Sequence, residues 1–560
     1  MIFRMRQYRI GVGRVRNAVD GTAGTVIHIT CSMALNMIKQ MKTDSGQNQS
    51  PWMATAEMPI YSSLTEDQRA DVCIVGAGIA GLSIAYMLTK AGKSVVILDD
   101  GPLAGGMTAL TTAHLSNAID DRYVEMERLH VEMGSRLAAE SHTAAIRRIE
   151  EIVTEEKISC DFERLDGYLF LSPGEKEEVL DDELAAAHRA GLQDVTKLNR
   201  APSQSFDTGP CLRFPNQGQF HPLKYLSALA KAIQRDGGRI FTQTHADKIS
   251  GGSSAQVKAG SYVVTADAVV VATNSPVNDL LVIHTKQAPY MTYVIGARVP
   301  RGSVTKALYW DTQDPYHYVR LQSLDGDDSG DGDTTGLAEH DLLIVGGEDH
   351  KTVQADDSLE RYARLEAWAR KRFPSMEEVE FTWAGQVMET IDGLAFIGRN
   401  PLDKDNVYIV TGDSGMGMTH GTISGILLTD LILGRENPWE KLYDPSRKTL
   451  RAASEFVSEM LNVAVQYTDW LTSGEVSSED EVANDSGAVI RRGLTKVAVY
   501  RDEAGNLLEC SAICTHLGCI VDWNTSEKTW DCPCHGSRFD KFGKVINGPA
   551  NIDLTRIDNE

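Results

Sequence analysis

At 560 residues, 42% of them apolar and 24% charged, the chain has the composition of an ordinary globular protein. It is too long for one core, which rarely grows beyond ~250–300 residues. Its formal net charge of −23 argues against nucleic acid or an anionic membrane surface as partner. No apolar run reaches the ~18–20 residues of a spanning helix, so no transmembrane anchor is expected. Of the nine cysteines, Cys31, Cys73, Cys160 and Cys211 are scattered, whereas the other five lie between Cys510 and Cys534. That clustering points to a local metal or redox site in a cytoplasmic-type protein.

Residues 1–42 carry five arginines and two lysines against one acid, Asp20. An Arg-rich, acid-poor leader fits a transit peptide. The lack of an apolar h-region, and the polar stretch directly after Met41, fit better with upstream sequence ahead of a start at Met41. Residues 1–60 are therefore expected to stand outside the fold, disordered or upstream of the true start.

The stretch Asp71 to Asp99 organises the rest of the chain. Val72, Ile74 and Val75 form an apolar strand, and Gly76-Ala77-Gly78-Ile79-Ala80-Gly81 turns it into a helix. A second strand, Val95 to Leu98, closes on Asp99. The glycines allow a tight turn, close approach of a pyrophosphate and close helix–strand packing. The helix N-terminus offers N–H groups and a positive dipole end to phosphate, and Asp99 stands where a carboxylate would bind ribose hydroxyls. Strand, helix, second strand and acid in register predict a dinucleotide site.

Next comes Gly105-Gly106-Met107-Thr108 running into ALTTAHL, with Gly106, Thr108 and Thr112 as candidate binding residues. A glycine loop opening a helix with small and hydroxyl side chains suits close approach to a flat ring or phosphate; a capped helix start is the plain alternative. Residues 122–160 read as amphipathic helices, 162–171 as a strand, and His221-Pro222 to Ile233 as a loop entering a helix. The buried strand 266–273 is expected to return beside the first. Residues 286–322 alternate as an antiparallel sheet, and the acidic, glycine-rich segment 325–341 reads as a mobile hairpin tip, since neither register supplies the Glu of a calcium loop.

Asp392-Gly393 precedes a strand at 407–410 and a second glycine-rich loop, Gly412-Asp413-Ser414-Gly415-Met416-Gly417, which opens an apolar helix. Its dipole suits a developing anion. It lacks the strand–helix–strand context and terminal acid of a second nucleotide site, which a pyridine-nucleotide reductase would need.

From about residue 70 to 445 these elements resemble the D-amino-acid oxidase-type FAD-dependent oxidoreductases: Gly76, Gly78, Gly81 with Asp99, the loop 105–115, the strand 266–273, and Asp392-Gly393 with Gly412, Gly415, Met416 and Gly417. The resemblance implies FAD, hydride transfer from a C–H beside nitrogen, and an α/β Rossmann-like domain interleaved with an antiparallel-sheet substrate domain. It names no catalytic residue, because the family's substrate-binding residues vary. His114 is a candidate covalent flavin anchor, although a lone histidine is more often structural.

Residues 447–471 read as one long amphipathic helix, with Leu450, Val457, Leu461 and Ala464 at helical spacing, packed as a connector. Beyond it the chain turns β-rich and carries Cys514-Thr515-His516 and Cys532-Pro533-Cys534-His535. Two thiolates and two imidazoles on facing loops are the ligand set of a Rieske [2Fe-2S] centre; a zinc site would need Cys-x₂₋₄-Cys with His-x₃₋₅-His. By resemblance to Rieske ferredoxins and cytochrome bc-type proteins, Cys514 and Cys532 hold one iron and His516 and His535 the other. Cys519 and Cys534 would form a disulfide between the loops, and Ser537 would bond a cluster sulfur. Phe539 stands where high-potential members carry tyrosine, which implies an intermediate potential.

The expected organisation is thus an extension (1–60), a flavoenzyme (61–445), a helical linker (446–475) and a small all-β Rieske domain (476–560). The expected function is oxidation of a small-molecule amine or amino acid, with electrons passing singly through the cluster to an external protein or quinone-like acceptor. Two alternatives stand beside it: a reductase carrying electrons from NAD(P)H to a partner oxygenase, and a Rieske domain with a structural or redox-sensing role.

Overall fold

Side-chain alternation decides where the Gln68–Val75 strand sits in the computed structural model, which describes residues 49–278, 283–324, 339–355 and 357–557. Val72 and Ile74 enter one apolar layer, Cys73 and Val75 the opposite one. A strand buried on both faces belongs in a parallel sheet covered on both sides. The sheet runs Phe396–Arg399, Val407–Thr411, Tyr262–Val271, Gln68–Val75, Val95–Leu98, Arg239–Phe241. All neighbours are parallel except the Phe396–Arg399 edge. Tyr262–Val271 lies beside the first strand, with Val271 opposite Val75.

The chain leaves this sheet twice to build a second one. Its order is Val379–Thr390, Gln287–Pro300, His340–Lys351, Tyr318–Ser323, Leu308–Asp311, Glu163–Phe170, Cys211–Gln219, His114–Leu115. Only Leu308–Asp311 with Glu163–Phe170 is parallel among these pairs. The helix Gly417–Ile432 then returns to pack on Ile79–Lys90: Gly421 and Gly425 leave no room for a β-carbon against Ile79 and Met87. Two small antiparallel sheets follow, spanning Ser486–Ser511 and Asp522–Asn547, around Tyr500, Trp523, Trp530 and Phe539. The architecture expected from the sequence is therefore present.

Several elements differ from expectation. Residues 49–60 do not stand apart. Ser50 donates to Ala109 O (2.6 Å), Trp52 Nε1 to Thr111 O (2.6 Å), and Trp52, fully buried, lies beneath the Arg320 guanidinium. An indole finds its place where its ring is covered and its N–H has an acceptor. Residues 1–48, including Met41, lie outside the described residues, as does 325–338 of the acidic insert; its flanking strands pair Ser323 with Asp341.

The loop after Gly106 makes only a 3₁₀ turn, Met107–Leu110, and then extends into His114–Leu115. Arg320 takes the carbonyls of Thr112 and Ala113, which are thereby withheld from a helix. Residues 122–155 form a helix broken at Val131, whose φ is 57°. The expected long connector is a helix from Ala453 to Gln466 between 3₁₀ turns, with no residue fully buried and Leu461 63% exposed. Ion pairs Arg128–Glu455 and Lys351–Glu459 hold it, and of its apolar side chains Val463 packs partly buried against the C-terminal core.

Candidate active site and metal centre

At the first strand–helix turn, Gly76 has φ +103°, and a β-carbon there or at Gly81 would overlap the Ala272 or Gly76 carbonyl. Only glycine fits. No side chain caps the Ile79–Lys90 helix at Gly78, and its first turn carries no acid. A glycine-lined helix N-terminus without a cap of its own fits a pyrophosphate. Thr108 Oγ1 accepts the Ile79 N–H at 3.2 Å, placing the second loop against this turn. Asp99 accepts from Ala77 N–H (2.6 Å) and Gly101 N–H (2.9 Å), so its carboxylate fixes both loops at the end of the sheet.

The loop 412–417 has positive φ at Gly412, Ser414 and Gly415, and Met416 leads into a helix N-terminus without a side-chain cap. Gly415 abuts the Asp120 carboxylate, where a β-carbon would overlap it. Loop 105–112 lies under the Val379–Thr390 strand: Trp383 Nε1 donates to Leu110 O (2.9 Å) and the Gln386 N–H to Met107 Sδ (3.2 Å). Thr112 Oγ1 pairs with His114 Nδ1 (3.1 Å), and His114 Nε2 lies 3.4 Å from Val319 O. Burial, with Arg320 beside it, pushes His114 down to about 3. A ring with both nitrogens engaged fits the structural reading of this histidine.

Sequence reading missed a group of carboxylates around Gly415. Tyr316 donates to Asp120 Oδ2 at 2.7 Å. Burial pushes Asp120 up to about 7 and Asp349 and Asp413 each to about 6; burial and the neighbouring acids push Glu389 well above its usual range. Tyr318, hydrogen-bonded to Thr292 at 2.7 Å, joins the same group. These residues come from five separate segments, and no local pattern marks them. A desolvated set of acids with raised pKa values is suited to receive a cation and to take a proton near neutral pH.

In the C-terminal domain the two loops meet. Cys514 and Cys532 share a hydrogen bond, the leading cause that pulls the Cys514 thiol down to about 7. Backbone N–H groups of His516 and Leu517 and the Ser537 hydroxyl also favour its thiolate. The His516 and His535 rings lie 5.1 Å apart at 89°. Burial, then His516, pushes His535 down to about 4, leaving the neutral imidazole that a metal needs. Cys519 and Cys534 are joined in a disulfide. Their sulfurs lie within 4.8 Å of Cys532 Sγ, but a disulfide sulfur is no thiolate ligand, which leaves Cys514, Cys532, His516 and His535 as the candidate donors. Two thiols and two imidazoles on facing loops fit a [2Fe-2S] cluster. Ser537, fully buried, also accepts the Ala550 N–H at 3.0 Å.

Comparison with known proteins agrees with both sites. The FAD dependent oxidoreductase family matches residues 71–431, and the Rieske [2Fe-2S] domain family matches 472–557. The YhfW protein of Bacillus subtilis, whose name describes a Rieske 2Fe-2S iron-sulfur protein, is 31% identical over 514 residues, 90% of this chain and 97% of that one. The gamma-glutamylputrescine oxidoreductase of Escherichia coli is 26% identical over 387 residues, 67% of this chain and 86% of that one. Among solved structures, glycine oxidase from Geobacillus kaustophilus superposes with a TM-score of 0.54 at 18% identity, over 68% of this chain and 99% of that one, a likeness of fold.

Proposed function

Because the chain belongs to the D-amino-acid-oxidase-type family of FAD-dependent oxidoreductases and ends in a Rieske [2Fe-2S] domain, we propose that it oxidises a small amine at a C–H beside nitrogen and delivers the electrons through the cluster to an external acceptor. When bound, FAD supplies a hydride acceptor and the cluster a one-electron carrier. The C–H bond breaks, the amine becomes an iminium, and the electron pair leaves in two single steps to a one-electron protein or quinone-like acceptor, the hydride's proton passing to water. The observation that carries this reading is that the dinucleotide cradle and the Cys₂His₂ set belong to one compact unit.

The acids around Gly415 favour an amine over an amino acid, whose carboxylate they would repel. They attract the protonated amine, and Asp120, held by Tyr316, is suited to take the ammonium proton so that the nitrogen lone pair can assist hydride departure. On this reading Gly76, Ala77, Gly78, Gly81, Asp99, Gly106, Thr108, Thr112, Gly412, Gly415, Met416 and Gly417 hold FAD. Residues 61–445, with 49–60 packed against them, are the flavoenzyme, 446–475 the tether and 476–560 the carrier.

The test is anaerobic absorbance and electron paramagnetic resonance of the purified protein mixed with NADH or with a panel of amines and amino acids. An amine should bleach the flavin and then raise the reduced-cluster signal. Reduction by NADH alone would overturn the proposed direction of electron flow.

A further inference from the structure

We propose that Gln386 and His284 are positioning residues that seat the histidine edge of the Rieske domain on the flavoenzyme, so that the cluster is loaded from within its own chain at a fixed junction. This rests on the proposed electron flow from flavin to cluster. Gln386, 2% exposed, sits on the strand whose backbone touches Met107 of the flavin-side loop. Its Nε2 donates to Gly536 O (3.1 Å), next to His535, and its Oε1 accepts from Asn547 Nδ2 (2.6 Å). One amide side chain therefore ties two Rieske loops to the strand beneath them.

The fit there is close. Gly536 has φ +80°, and a β-carbon on it would stand 2.6 Å from Pro289 Cβ and 2.8 Å from Gln386 Nε2. Any side chain would lift the loop away. His284, also 2% exposed, places its ring edge-on to both histidines, with centroids 4.9 Å from His516 and 6.0 Å from His535. Groups packed against ligating imidazoles fix ring orientation. Further contacts hold the same seat: Asn551 Nδ2 donates to Ala246 O (3.0 Å), and Tyr467 OH and Trp470 Nε1 donate to Leu517 O (2.8 Å) and Gly518 O (3.0 Å).

The experiment uses the full-length holoprotein and three readouts. In Asn547→Ala, amide exchange over residues 534–540 should quicken by about tenfold, as expected for losing one buried hydrogen-bonded bridge. After rapid mixing with a reducing amine, its flavin should bleach at the wild-type rate while the cluster bleaches more slowly. Gln386→Glu, which keeps the acceptor for Asn547 but loses the donor to Gly536, should loosen the loop similarly and serves if Asn547→Ala folds poorly. His284→Leu should change the line shape of the reduced-cluster resonance. Unchanged exchange and unchanged cluster bleaching in both amide variants would overturn the junction while leaving the electron flow intact. A wild-type cluster that never bleaches after the flavin would overturn the electron flow, and the exchange data would still decide the seating.

Discussion

The ion pair Asp392–Arg447 should be the costliest polar contact to break in the flavoenzyme. Arg447 Nε and Nη2 meet the two carboxylate oxygens at 2.8 and 2.7 Å, with side chains 8% and 2% exposed. Its remaining donors reach Ala395 O (2.8 Å) and Leu394 O, and the guanidinium lies 4.0 Å from the centre of the Phe396 ring. Burial alone would raise Asp392, but Arg447, His130 and the Thr449 hydroxyl hold it well below the usual carboxylate range. Arg447→Leu strands that carboxylate, at a cost of ~3–5 kcal/mol. With ~2–4 °C per kcal/mol for larger domains, Tm falls by roughly 6 °C or more. The double variant Asp392→Asn/Arg447→Leu removes the stranded charge and should recover part of that loss. Because the folded pKa is depressed, the pair's contribution is complete above the unfolded value of about 4 and fades as pH falls through the folded one. Calorimetry across about pH 3–7, a range set by that ordinary carboxylate pKa, reads the loss in Tm and the onset of that fade. A Tm shift under roughly 2 °C, or a double variant no better than the single, would refute the reasoning.

The geometry sets four further outcomes. Gly81→Ala should yield protein without FAD, because the new β-carbon overlaps the Gly76 carbonyl; stoichiometric flavin in the purified variant would contradict the cradle. Cys532→Ser should lose iron and acid-labile sulfide yet keep flavin, read by metal analysis and absorbance; retained iron would remove Cys532 from the ligand set. KM for an amine should fall as pH rises through about 6 to 7, where Asp349, Asp413 and Asp120 ionise and attract the cation, and Asp120→Asn should flatten the upper part of that profile. Trp52→Ala should destabilise by ~3–5 kcal/mol, as for a fully buried aromatic, measured by urea unfolding; a surface-like loss would return 49–60 to the status of an appendage.

Whatever is written in short range is legible from the residues alone. A cradle of Gly76, Gly78 and Gly81 depends on backbone conformation and on a helix beginning where a strand ends, both set within a few residues. The candidate cluster donors likewise fall in two loops, each legible from its own spacing. The returning strand 266–273 and a separate antiparallel sheet are readable from strand periods, whereas their interleaving comes only with the family resemblance. The connector is not, because helical spacing reports amphipathicity without saying whether a partner covers the apolar face. Nor is Trp52, a single residue in polar surroundings whose burial depends on Thr111 and Arg320.

Contacts across the sheets are settled by tertiary packing. Tyr316 and Asp120 are 196 residues apart, and Gln386 and Gly536 150 apart. Neither pair has a local signature, because a carboxylate or an amide is an ordinary surface residue until packing removes its water. Desolvation raises the acids around Gly415, and the Gly536 loop packs closely on Pro289 and Gln386. Both arise from groups that meet only once the chain has closed.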